Sequence, residues 1–148
     1  MEKMKYTYLY MLLVNLLLMS CEFRTSDNGK LDGFWQVTAI DNKQSGETCD
    51  MRKSQMSWAF NGHLLVVRYG MASVIYEALF RFRHDGNELI LYDPYKSNRD
   101  EGDVKIEDAA VLEELGIYSL EEQFTVLQLD DSGMLLESDR VVLHFRRY

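Results

Sequence analysis

The first candidate for chemistry is Cys21, a thiol at the end of an apolar run. Lys3 and Lys5 give the chain a basic start, residues 6–19 are almost entirely apolar, and the small Ser20 comes just before the cysteine. This is the layout of a secretory signal with its cleavage point, and the apolar run is too short for a stable membrane span. We therefore expect a cleaved signal peptide at residues 1–20.

Residues 18–21, with the sequence Leu-Met-Ser-Cys, resemble the lipobox of bacterial lipoproteins. Leu18, Ser20 and Cys21 match its pattern, while Met19 is bulkier than usual. The resemblance implies that Cys21 begins the mature chain and carries thioether-linked and amide-linked acyl chains, because a single chain anchors only marginally. It also implies a cell-envelope protein, with the outer membrane as the expected anchor. The alternatives are an ordinary signal peptide beside an incidental cysteine, and a retained anchor helix.

No other residue pattern points to catalysis or metal binding. Cys49 is left without a second free cysteine, so no internal disulfide can form, and no histidine is predicted beside it. His63, His84 and His144 fall in a strand, a turn and the last strand, with His144 expected to face solvent, whereas a zinc site needs three or four converging ligands. We predict no enzyme, no metal and no cofactor.

The excess of acidic residues argues against some classes of binding partner. The chain of 148 residues has a net charge of −8, which argues against nucleic acid and against a basic patch on anionic lipid. Residues 93–108 are rich in carboxylates, but they lack the order of an EF-hand loop. A solvated acidic loop is the expected role, with calcium binding as the alternative.

The chain divides into a signal peptide (1–20), a lipidated polar tether (21–30) and one domain (31–148). Period-two alternation and turn signals predict eight strands in this domain. Asn61-Gly62 is the strongest hairpin signal. The predicted strands cover residues 34–40, 56–60, 63–69, 73–83, 88–92, 123–129, 134–137 and 140–147.

Eight antiparallel strands with short connections predict an all-β, up-and-down barrel, because closure removes exposed strand edges. Residues 93–103 contain the single proline, Pro94, and are predicted to be a loop. Residues 106–115 have apolar residues at helical spacing and are followed by Gly116, which predicts a short helix between strands five and six. We expect its Leu112 and Leu115 to form a lid over one end of the barrel.

Three segments of the domain resemble lipocalin-like lipoproteins of Bacteroidota-type bacteria. Residues 31–35 resemble the Gly-x-Trp opening of lipocalins, in which the tryptophan packs across one end of the barrel. The hairpin at residues 60–62 and the closing strands at residues 127–145 are also similar. The resemblance implies a lipocalin-like barrel, although classical lipocalins place their helix after the last strand.

An eight-stranded barrel is just wide enough to be filled by side chains or to hold one small ligand. Our leading hypothesis is that the protein binds a small hydrophobic ligand in the barrel or at its mouth. The alternative is a filled barrel that serves as an interaction subunit of an envelope assembly, with a protein partner. The residues expected to line a ligand site are Trp58, Phe60, Tyr69, Tyr76, Phe80 and Phe124.

Overall fold

Eight strands close into an antiparallel barrel in the computed structural model, which describes residues 26–71 and 74–148. The predicted signal peptide, Cys21 and the start of the tether lie outside the described residues. Two further short strands, β2 and β7, extend the sheet. The strands are β1 (Gly33–Asn42), β2 (Thr48–Asp50), β3 (Ser57–Asn61), β4 (Leu64–Met71), β5 (Val74–Asp85), β6 (Glu88–Lys96), β7 (Val104–Lys105), β8 (Glu122–Leu129), β9 (Gly133–Glu137) and β10 (Val141–Arg147).

The strands follow one another around the barrel in the order β1, β3, β4, β5, β6, β8, β9 and β10. β10 then pairs with β1, from Trp35 opposite Arg147 to Asn42 opposite Val141, and so closes the ring. We call the end where β1 begins the base and the opposite end the mouth. The predicted eight-stranded barrel is confirmed, and the short strands β2 and β7 were not predicted.

The predicted hairpin between β3 and β4 forms, but its turn residues are Gly62 and His63, because Asn61 is the last residue of β3 and pairs with Leu64. Gly62 has a φ of 60°. A backbone in this left-handed region favours glycine, because a Cβ atom there is strained. The same conformation recurs at Gly86, with a φ of 59°, in the hairpin between β5 and β6.

The alternation of β5 places its apolar and charged residues on opposite faces. Ala78, Phe80 and Phe82 are buried in the barrel, whereas Arg81 and Arg83 are exposed. This confirms the predicted register, because a slip of one residue would exchange the two faces. The other predicted inner-face residues are also buried, except the half-buried Tyr76; they are Trp35, Val37, Trp58, Phe60, Leu65, Val67, Leu143 and Phe145.

The loop predicted at residues 93–103 begins too early, because β6 continues to Lys96. Asp93 has a φ of 53°, and the register with β5 shifts opposite it, so the strand bends at a bulge and then resumes. Proline lacks a backbone N–H and is tolerated at such bulges. Pro94 therefore does not end the strand.

The helix predicted at residues 106–115 is a shorter 3-10 helix, Ala109–Leu115, in the predicted place between the fifth and sixth barrel strands. The N–H of Ile106 donates to the Pro94 carbonyl, which holds residues 104–106 against β6 and outside the helix. The Asp108 carboxylate then caps the helix by accepting from the Ala110 N–H at 2.9 Å. Gly116 ends it in the left-handed conformation, as predicted.

The two faces of β5 give a direct test of the packing. Phe80→Ala should lower the free energy of unfolding by about 3–5 kcal/mol, because it deletes a buried aromatic ring and leaves a cavity. Its neighbour gives the matched control: Arg81→Ala, on the exposed face, should change this free energy by about 0.5 kcal/mol or less. Urea denaturation measures both. Equal losses for the two variants would contradict the assignment of the faces.

Candidate binding site in the barrel

The six residues expected to line a ligand site divide into two groups. Trp58, Phe60, Phe80 and Phe124 are fully buried in the core. The other two, Tyr69 on β4 and Tyr76 on β5, are half-buried. The structure thus brings the predicted set together on the inner wall, with only the tyrosines reaching solvent.

The buried rings pack against one another across the barrel. The Trp58 ring lies 6.0 Å from Phe124, on the facing strand β8, and 5.1 Å from Phe145 on β10, measured between ring centroids. Phe60 contacts both Trp58 and Phe82. The contacts with Phe124, Phe145 and Phe82 are edge-to-face, an arrangement that aromatic pairs favour. This aromatic cluster fills the middle of the barrel.

The base of the barrel is closed by Trp35 and the chain around it. The Trp35 indole N–H donates to the Leu31 carbonyl at 2.8 Å. The Arg147 guanidinium lies over the Trp35 ring, 5.2 Å from its centroid, and donates to the Asp32 carbonyl at 2.8 Å. Because the tryptophan is fully buried with its N–H paired, the base offers no opening at this point.

The mouth is covered on the side of β1 and β10 by the 3-10 helix. Leu112 and Leu115 are buried and belong to the core, as does Ile117 after the helix. Gly116 approaches the barrel so closely that a Cβ atom there would lie 2.7 Å from Leu143 Cδ2. The helix therefore sits against core residues at the mouth, the position that the proposed lid requires. Whether it opens stays a prediction.

The mouth beside β4 and β5 has a different lining. Tyr69 and Tyr76 are directly opposite each other in the pairing of these strands. Burial raises the pKa of the Tyr76 hydroxyl, and the Lys96 ammonium lies 5.8 Å from the Tyr76 ring centroid. The next inward pair toward the base is Val67 and Ala78. Two amphipathic rings thus stand above the smallest side chain on the inner face of β5.

Comparisons with known proteins agree with this architecture. The sequence profile of the lipocalin-like domain family matches residues 16–148. The chain belongs to this family.

Two solved structures are similar to the lipocalin-like barrel described above. A lipocalin-like protein from Bacteroides uniformis has a TM-score of 0.63 and 16% identity, covering 81% of this chain and all of its own. An uncharacterized protein from Bacteroides eggerthii has a TM-score of 0.58 and 15% identity, covering 79% of this chain and 98% of its own. No curated protein matches the chain. At these identities, the likeness establishes the fold alone.

Two buried side-chain nitrogens of the described residues have no hydrogen-bond partner: Trp58 Nε1, and Nε2 of His84, which lies in β5 and not in the predicted turn. Trp58 is fully buried, and its indole N–H has no hydrogen-bond partner among the described residues. Buried donors are nearly always paired, and an unpaired one costs about 1–3 kcal/mol. The pattern of the sequence indicated that Trp58 faces inward, but it carried no signal that this N–H lacks a partner.

The structure adds no support for metal binding or for a reactive cysteine among the described residues. Within the described residues, no three His, Cys, Asp or Glu side chains converge as a metal site. Cys49 is exposed on β2. The same part of the chain contains no helix long and apolar enough to cross a membrane.

His144 is less exposed than predicted, because a carboxylate from the neighbouring strand holds it. Its Nε2 lies 2.7 Å from Asp41 Oδ2 on the outer wall, where β1 and β10 pair. The Thr48 hydroxyl and then His144 lower the pKa of Asp41. The pair is a local contact between strands, outside the interior of the barrel.

The helix at the mouth yields a test of the lid. Leu112→Asp should raise the binding of an apolar fluorescent dye, because a buried charge at this position should lift the helix from the mouth. The exposed neighbour gives the control, Val111→Asp, which should leave dye binding unchanged. Far-ultraviolet circular dichroism should show an intact barrel in both. A folded Leu112→Asp variant with unchanged dye binding would contradict the lid.

Proposed function

We propose that this protein is a lipid-anchored cell-envelope lipoprotein whose barrel binds one small hydrophobic molecule with a hydrogen-bond acceptor. Cys21 carries the acyl chains, and the outer membrane is the anchor. The protein needs no cofactor for this role and catalyses no reaction. Neither nucleic acid nor a basic lipid-binding patch is part of it, because the net charge is −8.

The single observation that carries the ligand proposal is the unpartnered indole N–H of Trp58. An apolar molecule that brings one carbonyl, carboxylate or ether oxygen would satisfy this donor and bury its remaining surface against the surrounding rings. Such a site is predominantly apolar, with a few polar groups that fix the ligand's orientation, as small-molecule sites usually are.

The route to Trp58 leads through the mouth beside β4 and β5. Trp58 is opposite Val67, and Val67 is opposite the small Ala78, so two strand pairings connect Trp58 with this residue. Tyr69 and Tyr76 are the next pair toward solvent. A ligand at this place would contact the two tyrosine rings, Ala78 and Trp58, while the aromatic cluster below remains packed.

A second candidate function is supported by the packing of that cluster. Trp58, Phe60, Phe82, Phe124 and Phe145 contact one another, and each is almost fully buried. A barrel filled in this way needs no ligand for stability. The protein would then act through its outer wall as an interaction subunit of an envelope assembly.

A larger side chain at Ala78 distinguishes ligand binding from the interaction-subunit function. Native mass spectrometry of the mature chain purified from its own envelope should detect a non-covalent small molecule, and Ala78→Leu should abolish it, because the larger side chain would occupy the proposed ligand position. The same change at an exposed position, Ala110→Leu, should leave the molecule bound. A bare mass for the unsubstituted chain would contradict the ligand and favour the interaction subunit.

The anchor has its own test. Cys21→Ser should leave an unprocessed precursor without fatty-acid label, because the hydroxyl does not replace the thiol that accepts the acyl group. The remaining cysteine gives the control, since Cys49→Ser should be processed and labelled normally. Metabolic labelling with a fatty acid and the mass of the purified chain measure both. A labelled, matured Cys21→Ser protein would overturn the anchor.

A further inference from the structure

The outer wall of the barrel carries a continuous row of apolar side chains, although outward positions of a soluble barrel are usually polar. Each member is paired with the next across neighbouring strands, from β1 through β3, β4 and β5 to β6. We call this set the apolar row; it consists of Phe34, Ala59, Val66, Leu79 and Tyr95. Phe34 is 57% exposed, and the other four are half-buried.

Charged residues border the row on the side of the mouth, and a row of apolar, charged and aromatic residues borders it on the side of the base. Toward the mouth, Arg68 and Glu77 are opposite each other and form an ion pair at 2.6 Å. Toward the base, the next row contains Leu64, Arg81 and Tyr92, and Leu64 is 42% exposed. A groove of about 520 Å³ runs over the wall between β1 and β4 and is lined by Phe34, Leu64 and Val66, among others.

The chain coming from the tether meets the domain at this groove. Ser26, the first described residue, lines it. Asn28 fixes the incoming chain, because its side-chain amide donates to the Gly62 carbonyl at 2.6 Å and to Asp32 Oδ1 at 2.9 Å. Cys21 is five positions before Ser26, so an extended chain places the acylated residue within about 18 Å of the groove.

We propose that the part of the apolar row on β1, β3 and β4 (Phe34, Ala59 and Val66), together with Leu64, is a membrane-contact face that lies against the bilayer holding the Cys21 acyl chains. This inference rests on the proposed lipid anchor. It extends that function by giving the barrel a fixed orientation, with one wall on the lipid and the mouth free to exchange ligand.

The bilayer fits this face better than a protein partner does. The row is one residue wide, whereas a specific protein interface buries about 1,200–2,000 Å² in total. A short tether makes lipid contact intramolecular, so a weak apolar contact is sufficient. Arg81, opposite Leu64 on the neighbouring strand, is a residue type that suits the boundary between lipid and water. The net charge of −8 argues against electrostatic attraction to anionic lipid. The proposed contact is therefore apolar, and because salt screens only charges, it should persist at high salt.

The experiment uses the mature, acylated chain with Cys49→Ser, in vesicles of phosphatidylethanolamine and phosphatidylglycerol. A polarity-sensitive fluorophore is attached at Leu64→Cys or, as the control, at Val111→Cys on the helix at the mouth; both native side chains are about half exposed. The probe at 64 should shift to the blue and be quenched by lipids spin-labelled in the upper acyl chain, at low and high salt. The probe at 111 should do neither.

A second variant tests the row without moving the probe. Phe34→Ser should reduce the quenching at position 64, whereas Leu127→Ser, an equally exposed apolar residue on β8, should leave it unchanged. The mass of the chain is checked first: an unacylated chain overturns the anchor. With acylation established, an unquenched probe at 64, or quenching at 111 alone, overturns the membrane face. Phe23 is the aromatic residue of the tether. If the probe at 64 is shifted to the blue in acylated protein without vesicles, and Phe23→Ser removes this shift, the tether occupies the groove. If position 64 is protected only in native envelopes, a partner protein occupies it; either result overturns the proposal.

Discussion

The antiparallel pairing of β1 with β10 is the constraint on which the rest of the structure depends. It joins the two ends of the domain, from Trp35 opposite Arg147 to Asn42 opposite Val141, and it turns a sheet into a barrel without free edges at these strands. Closure also gives each strand one enclosed face, so the period-two alternation becomes a division between interior and outer wall. The Arg147 contact with Trp35 at the base follows directly from this pairing.

Closure brings large rings from several strands into one small volume, and the proposed ligand site lies in that volume. Trp58 packs against Phe124 and Phe145, which lie far from it in the sequence, and its indole N–H is enclosed with them. A packed core stabilises the fold, but an unpaired donor in its midst destabilises it. In the proposed function, a ligand with one acceptor would resolve this conflict.

The sequence predicted the barrel well, because alternation and turns are local signals. The register of β5, the hairpin between β3 and β4 and the capping role of Gly116 could all be read from residues close in the chain. Local pattern failed where a distant backbone group decides the conformation. Pro94 accepts from Ile106 and continues β6 past a bulge at Asp93, which shortens the predicted helix.

The candidate site was predictable in its residues but not in its chemistry. Alternation indicates that Trp58 and Phe80 face inward. The lack of a partner for one indole N–H depends on every group around it after folding. The apolar row is similar, because its five members become neighbours only through the registers of four strand pairs.

The most direct test of the central claim is nuclear magnetic resonance of the two tryptophan side chains in ¹⁵N-labelled mature protein, before and after solvent extraction of bound small molecules. Trp35 is the internal reference, because its N–H donates to the Leu31 carbonyl in the closed base. The account predicts that extraction moves the Trp58 indole N–H resonance and leaves that of Trp35 in place. A Trp58 resonance that extraction does not move would contradict a ligand at this donor.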